Sequence, residues 1–134
     1  MIDIENQIFD GCARLVLSKY PECMTSSANV AAPASFPAVS VTEGDNATDT
    51  TRIDSSGIEK GALLAYDVRV YSNLRKGAKA QAKDIAQMVD GYMNSLNFTR
   101  SFKQQGFMAS DSSVYQVTMR FIAGVDNNEK LYRR

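Results

Sequence analysis

Apolar positions along this 134-residue chain change their period several times, and each change marks an element. Ile4, Ile8, Cys12 and Leu15 recur at helical spacing with Val16 alongside, and Phe9 and Leu17 widen the apolar surface. The spacing predicts an amphipathic helix over residues 2–19, stopped by Pro21. TSSANVAAPASFP is small, polar and proline-containing, which predicts a loop. In FPAVSVTEGD, Val39 and Val41 alternate with Ser40 and Thr42, a short strand entered at Pro37. Residues 44–58 are polar, with Ile53 and Ile58 as the only apolar anchors, so a long exposed loop is expected over 43–57.

LLAYDVRVYS alternates clearly. Leu64, Tyr66, Val68 and Val70 share one face, and Ala65, Asp67, Arg69 and Tyr71 share the other, as in a half-buried strand. From Ala78 the period becomes helical: Ala78, Ala82, Ile85, Val89, Tyr92 and Leu96 form one continuous face. Gly91 costs such a helix about 1 kcal/mol against Ala, which points to close packing against a sheet at that position. NFTRSFKQQGF alternates weakly through Phe98, Arg100 and Phe102 and predicts a strand with a turn at Gly106. In SSVYQVTMRFIAGV, Tyr115, Val117, Met119, Phe121 and Ala123 face one way, predicting a last strand. Asp126-Asn127-Asn128 ends it, and residues 127–134 are expected to form a flexible tail.

The expected order is α-β-β-α-β-β. It describes one α+β domain spanning 1–134, with an antiparallel or mixed sheet of about four strands flanked by two helices. A chain of this length buries about two thirds of its unfolded surface, enough for a core without covalent staples.

Fifteen Lys and Arg balance fifteen Asp and Glu. Zero net charge disfavours a phosphate-neutralising nucleic-acid binder and a polybasic membrane surface. No apolar run approaches membrane-spanning length, and the acidic N-terminal stretch lacks a signal-peptide layout, so a soluble protein made in the cytoplasm is expected. Cys12 and Cys23 have ten residues between them and no Cys-x-x-Cys pattern. Cys12, on the apolar helical face, is expected to be a buried, inert thiol.

Candidate chemistry is sparse. The absence of His excludes Ser-His and Cys-His nucleophile pairs and ordinary zinc spacings. Glu43, Asp45, Asp49 and Asp54 lie close together in sequence, with Arg52 among them, but their spacing is not that of a calcium loop. A solvated loop is the expected reading, with no metal. Arg75, Lys76 and Lys79 surround Gly77 before the second helix. A phosphate cradle wants several glycines and a Lys followed by Ser or Thr; this turn has one glycine, and Ala80 follows Lys79. Arg133 and Arg134 end the chain. These ten residues are candidate assembly contacts rather than catalytic groups, and neither enzymatic activity nor a cofactor is expected.

One resemblance adds to this. VRVYSNLRKGAKAQAKDIAQMVDGYMNSLNFTR resembles a signature of phage neck and tail-completion proteins, in which a strand leads through a Tyr-Ser-Asn turn and a basic glycine turn into a helix. SSVYQVTMRFIAGVD is similar to that family's last strand, and FPAVSVTEGDN to its first; together they span about residues 36–126. The resemblance implies a tail terminator of a long-tailed phage, or a minor capsid relative, with a small α/β domain. Such a protein forms a ring, commonly a hexamer, at the neck of the virion after assembly in the host cytoplasm. It caps the tail tube, ends tube polymerisation and offers a surface to head-tail connector proteins. DNA passes the ring lumen without sequence-specific binding. The alternatives are a head-completion or adaptor protein on the portal side and, in a different class, a small ligand-binding domain.

Overall fold

The computed structural model describes residues 1–29, 33–52, 57 and 60–134, with Arg52 described by its backbone alone. It is an α+β domain with two long helices and a mixed six-stranded sheet. The elements are α1 (Glu5–Lys19), β1 (Met24–Ser26), β2 (Ala38–Thr48), β3 (Gly61–Ser72), α2 (Ala78–Ser95), β4 (Thr99–Phe107), β5 (Tyr115–Asp126) and β6 (Leu131–Tyr132). A single 3-10 turn, Thr50–Arg52, follows β2. The four long strands and two helices keep the expected order. Beyond them, β1 overlaps the start of the expected 25–37 loop, and β6 lies within the expected tail.

The sheet order is β1-β2-β3-β5-β4, with β6 also paired to β5. Among the described residues, β1 and β2 are the only directly paired strands that run parallel. Because β5 is antiparallel to both β3 and β4, those two strands are parallel to each other with β5 between them. Helix α2 connects them, making a split β-α-β unit.

Both helices cover the same face. Strands β3 and β5 send Leu64, Tyr66, Val68 and Val70, and Val117, Met119, Phe121 and Ala123, to that side, where all are buried. Ile8, Cys12 and Val16 of α1 and Ala82, Ile85, Val89 and Met93 of α2 complete the same core. Phe98 closes one end, edge-on to Tyr66 with ring centroids 5.6 Å apart. The predicted faces of β3 and β5 agree with this core; on α2 the first part of the predicted face agrees, but Ala86 and Met93 are buried while Tyr92 and Leu96 are half-buried. On α1, Val16 rather than Leu15 takes the buried position, and Leu17 is exposed.

The helices run antiparallel: Lys19 Nζ sits 2.7 Å from Asp84 Oδ2 at one end, and Gly11 lies against Tyr92 further along. An added Cβ on Gly11 would stand 1.8 Å from the Tyr92 hydroxyl. The glycine needed for close packing is therefore Gly11. Gly91, expected to have that role, is exposed, and an added Cβ there meets nothing within 4 Å.

Two bulges explain the other departures. At Gly44 the β2–β3 register shifts between Glu43 and Asp45, and the strand continues to Thr48. The first part of the expected 43–57 loop is thus paired backbone. An added Cβ on Gly44 would meet Asp67 Oδ2 at 2.5 Å, so the bulge needs a glycine. In β4 the register shifts between Arg100 and Phe102, sending Phe102 to the uncovered face opposite Arg120 and ending its alternation with Phe98. Gly106 is paired with Gln116 inside β4, so the strand passes through the expected turn.

Candidate functional site

The basic corner is built where β3 hands over to α2. Ser72, fully buried at the strand end, donates its hydroxyl to Gln81 Oε1 at 2.6 Å and ties the strand to the helix. Gly77 is the α2 N-cap, in the left-handed region at φ 93°, without a side-chain cap. Arg75, Lys76 and Lys79 are exposed and form no ion pair with any described residue. Arg75 and Lys79 line an open groove of about 430 Å³ that also includes Leu74, Phe107 and Ser113. Leu74 and Phe107 are 47% and 60% exposed, a large apolar surface for a corner of this size. Phe107 is held edge-on against Tyr115 at 5.0 Å. The groove's described lining contains cations, hydroxyls, an amide and apolar walls, with no carboxylate. Chemically, such a lining suits an acidic, partly apolar group.

The acidic residues of the 43–54 stretch do not converge. Glu43 lies on the helix side of the sheet, opposite Tyr66. Its carboxylate accepts from Asn46 Nδ2 at 3.0 Å and, at a long 3.5 Å, from the Tyr66 hydroxyl. Burial, reinforced by the Asp3 and Glu5 charges, pushes Glu43 above the usual carboxylate range. Asp45, one bulge further on, is exposed on the opposite face. Asp49 is buried beyond the strand end, where it accepts the Thr51 hydroxyl at 2.6 Å, the Thr51 N–H at 3.1 Å and the Tyr132 hydroxyl at 3.1 Å. The Thr51 hydrogen bonds lead in holding Asp49 below the usual range. Asp54, the anchors Ile53 and Ile58, and the Arg52 side chain lie outside the described residues. Among the described residues, no three Asp, Glu, Cys or His side chains gather into a metal-binding group.

At the C-terminal end, Arg133 is folded onto the protein. Its guanidinium donates to Asn94 O at 3.1 Å, Asn94 Oδ1 at 3.2 Å and Phe98 O at 3.0 Å, where α2 ends. This places positive charge at the helix's negative end and ties the C-terminal residues to the turn after it. Arg134 is exposed beside Asp45, Leu63 and Ile122 and contributes to the low Asp49 pKa. Tyr132 lies over Gly124, where an added Cβ would be 2.1 Å from its ring. The residues expected to form a tail thus carry a strand and a contact to the end of α2.

Alternation alone did not reveal the centre of the uncovered sheet face. There Asp67 and Arg120 face each other across β3 and β5 in a two-pronged ion pair, Nε–Oδ1 2.8 Å and Nη2–Oδ2 3.2 Å. The patterns of β3 and β5 put both residues on their polar faces; the register that makes them neighbours is not written in either strand. Both cysteines are free and buried; burial raises the Cys12 thiol to about 12 and Cys23 to about 11, so neither is a thiolate at neutral pH. Among the described residues no helix is long and apolar enough to cross a membrane. Comparison with protein-family models and with curated proteins gives no match for this chain.

Proposed function

We propose that the chain is a structural protein of a phage virion, a tail terminator. In this reading it forms a ring, a hexamer by the family resemblance, on the finished tail tube. The ring ends tube polymerisation and presents the surface that head-tail connector proteins join, with DNA passing its lumen without being read. The observation that carries the reading is the way the resembling segments fit together. The long signature runs through β3, the basic turn, α2 and the start of β4, and the two shorter segments are β2 and β5, the neighbours of β3 in the sheet. Segments scattered over about ninety positions of sequence thus make one contiguous half of the domain, as a shared architecture requires. The uncovered sheet face, the outer edge of β4 and the basic groove supply surface for assembly.

Electron microscopy of the purified protein tests this together with a polymerisation assay. A six-fold ring with a tube-width hole, and arrest of tube growth when it is added to a phage tail-tube protein, are the expected results. A twelve-fold ring would move the protein to the portal side as an adaptor. Tubes that grow to unlimited length in its presence would sink the terminator reading.

A further inference from the structure

The chain is neutral overall, yet a basic patch and an acidic patch lie at opposite edges of the sheet. On the β4 side, Arg75 and Lys79 line the groove walled by Leu74 and Phe107, with Lys76 exposed on the same turn; no carboxylate is in its described lining, and Asp111 accepts from Ser113 beside it. On the β2 side, the chain before α1 runs beside the strand: Asn46 Nδ2 donates to Ile2 O at 2.7 Å, and the Glu43 N–H donates to Glu5 Oε2 at 2.9 Å. This contact gathers Asp3, Glu5 and Glu43; Asp45, one bulge further along β2, lies at the same edge on the other face of the sheet, beside Arg134. None of these four carboxylates forms an ion pair with a described residue.

The two patches cannot satisfy each other within one molecule. Glu43 pairs with Tyr66, six residues before the end of β3, which is about 20 Å along the strand. Strand β2 is three strand spacings from β4, about 14 Å across the sheet. Opposite charge on opposite edges of one molecule is the arrangement that favours a head-to-tail contact, whereas a two-fold contact would put like charge against like.

We propose that a second copy of this chain seats its acidic β2–α1 edge, around Asp3, Glu5, Glu43 and Asp45, against the basic groove at the α2–β4 edge, with Leu74 and Phe107 covered in the contact. The contact is heterologous, so repeating it builds a ring where the rotation between neighbours closes and an open filament where it does not. It rests on the ring-forming reading above and identifies the surfaces that make the ring. Screening by salt weakens it.

Charge reversal on each edge tests the proposal. One variant carries Arg75→Glu, Lys76→Glu and Lys79→Glu. The other carries Asp3→Lys and Asp45→Lys, which spares Glu5 and Glu43 with their hydrogen bonds inside the fold. Sedimentation velocity is run at low and high salt, with circular dichroism to check that each variant is folded. The wild type is expected to assemble at low salt and to lose at least tenfold in assembly at high salt. Each variant alone is expected to remain monomeric. An equimolar mixture is expected to form at least a heterodimer, because the unaltered acidic edge of one variant meets the unaltered basic groove of the other. Variants that assemble as the wild type does, or a mixture of folded variants that stays monomeric, overturn the assignment of surfaces and leave the ring itself standing. A wild type that is monomeric at every concentration removes both. Should a reversal variant fail to fold, Lys76→Gln with Lys79→Gln replaces it: assembly at least tenfold weaker supports the contact, and unchanged assembly overturns it.

Discussion

Two glycines of similar appearance in sequence have opposite roles. Gly91 sits on the exposed side of α2 with open space where a Cβ would go, so it contributes backbone entropy to the unfolded chain and no packing to the folded one. Gly91→Ala is expected to stabilise the protein by about 1 kcal/mol, read as a higher urea midpoint at unchanged slope. Gly11→Ala pushes a methyl into the Tyr92 ring and is expected to destabilise by about 1–3 kcal/mol in the same assay. Periodicity could place Gly91 in a helix but could not say what faced it, because that depends on where another element lies. Glu43 offers a pH test at the same scale. Burial raises its pKa above the ordinary value of 4.5, so the folded state holds this proton more tightly than the unfolded state does. Its contribution favours folding below the ordinary pKa and is lost as pH rises through the raised one. Glu43→Gln should therefore raise stability at pH 7 and have less effect at pH 4, measured as the difference between denaturant midpoints at the two values.

At the scale of elements, legibility followed burial. Strands β3 and β5 are central, covered by helices on one face and more open on the other, and their alternation was plain in the sequence. Strand β4 is an edge strand exposed through most of its length, so no core imposed a pattern on it, and its bulge broke the little there was. The second half of β2 is polar because it runs beyond the core, paired to β3 on one side and met by the residues before α1 on the other. Strands β1 and β6 are three and two residues long and exist through their partners; nothing so short carries a period. The role of Arg133 was hidden for the same reason, since the α2 carbonyls it meets are about forty positions away in sequence. Arg133→Ala should lower stability by about 1 kcal/mol, seen as a lower melting temperature, and speed amide exchange in the last turn of α2 and in β6. A deletion of residues 44–56 would remove paired β2 backbone through Thr48, so point substitutions are the sounder probes of that segment.

At the scale of the whole molecule, fold class and element order were legible because they depend on sums over many residues. The pairing of Asp67 with Arg120, the shared helix face and the sorting of charge to two edges were not, because each depends on the order of strands in the sheet. That order, β1-β2-β3-β5-β4, has a consequence for how the chain is made. A ribosome delivers β3, α2 and β4 before Tyr115, the first residue of β5, appears. Until then β3 has one bare edge, β4 has no neighbour to pair with, and α2 has only part of the surface it is shaped to cover. The strand that joins the two halves is the last long one synthesised, and it must enter a gap between strands already made. The nascent chain thus carries an open sheet edge from the completion of β3 until β5 inserts and closes the domain.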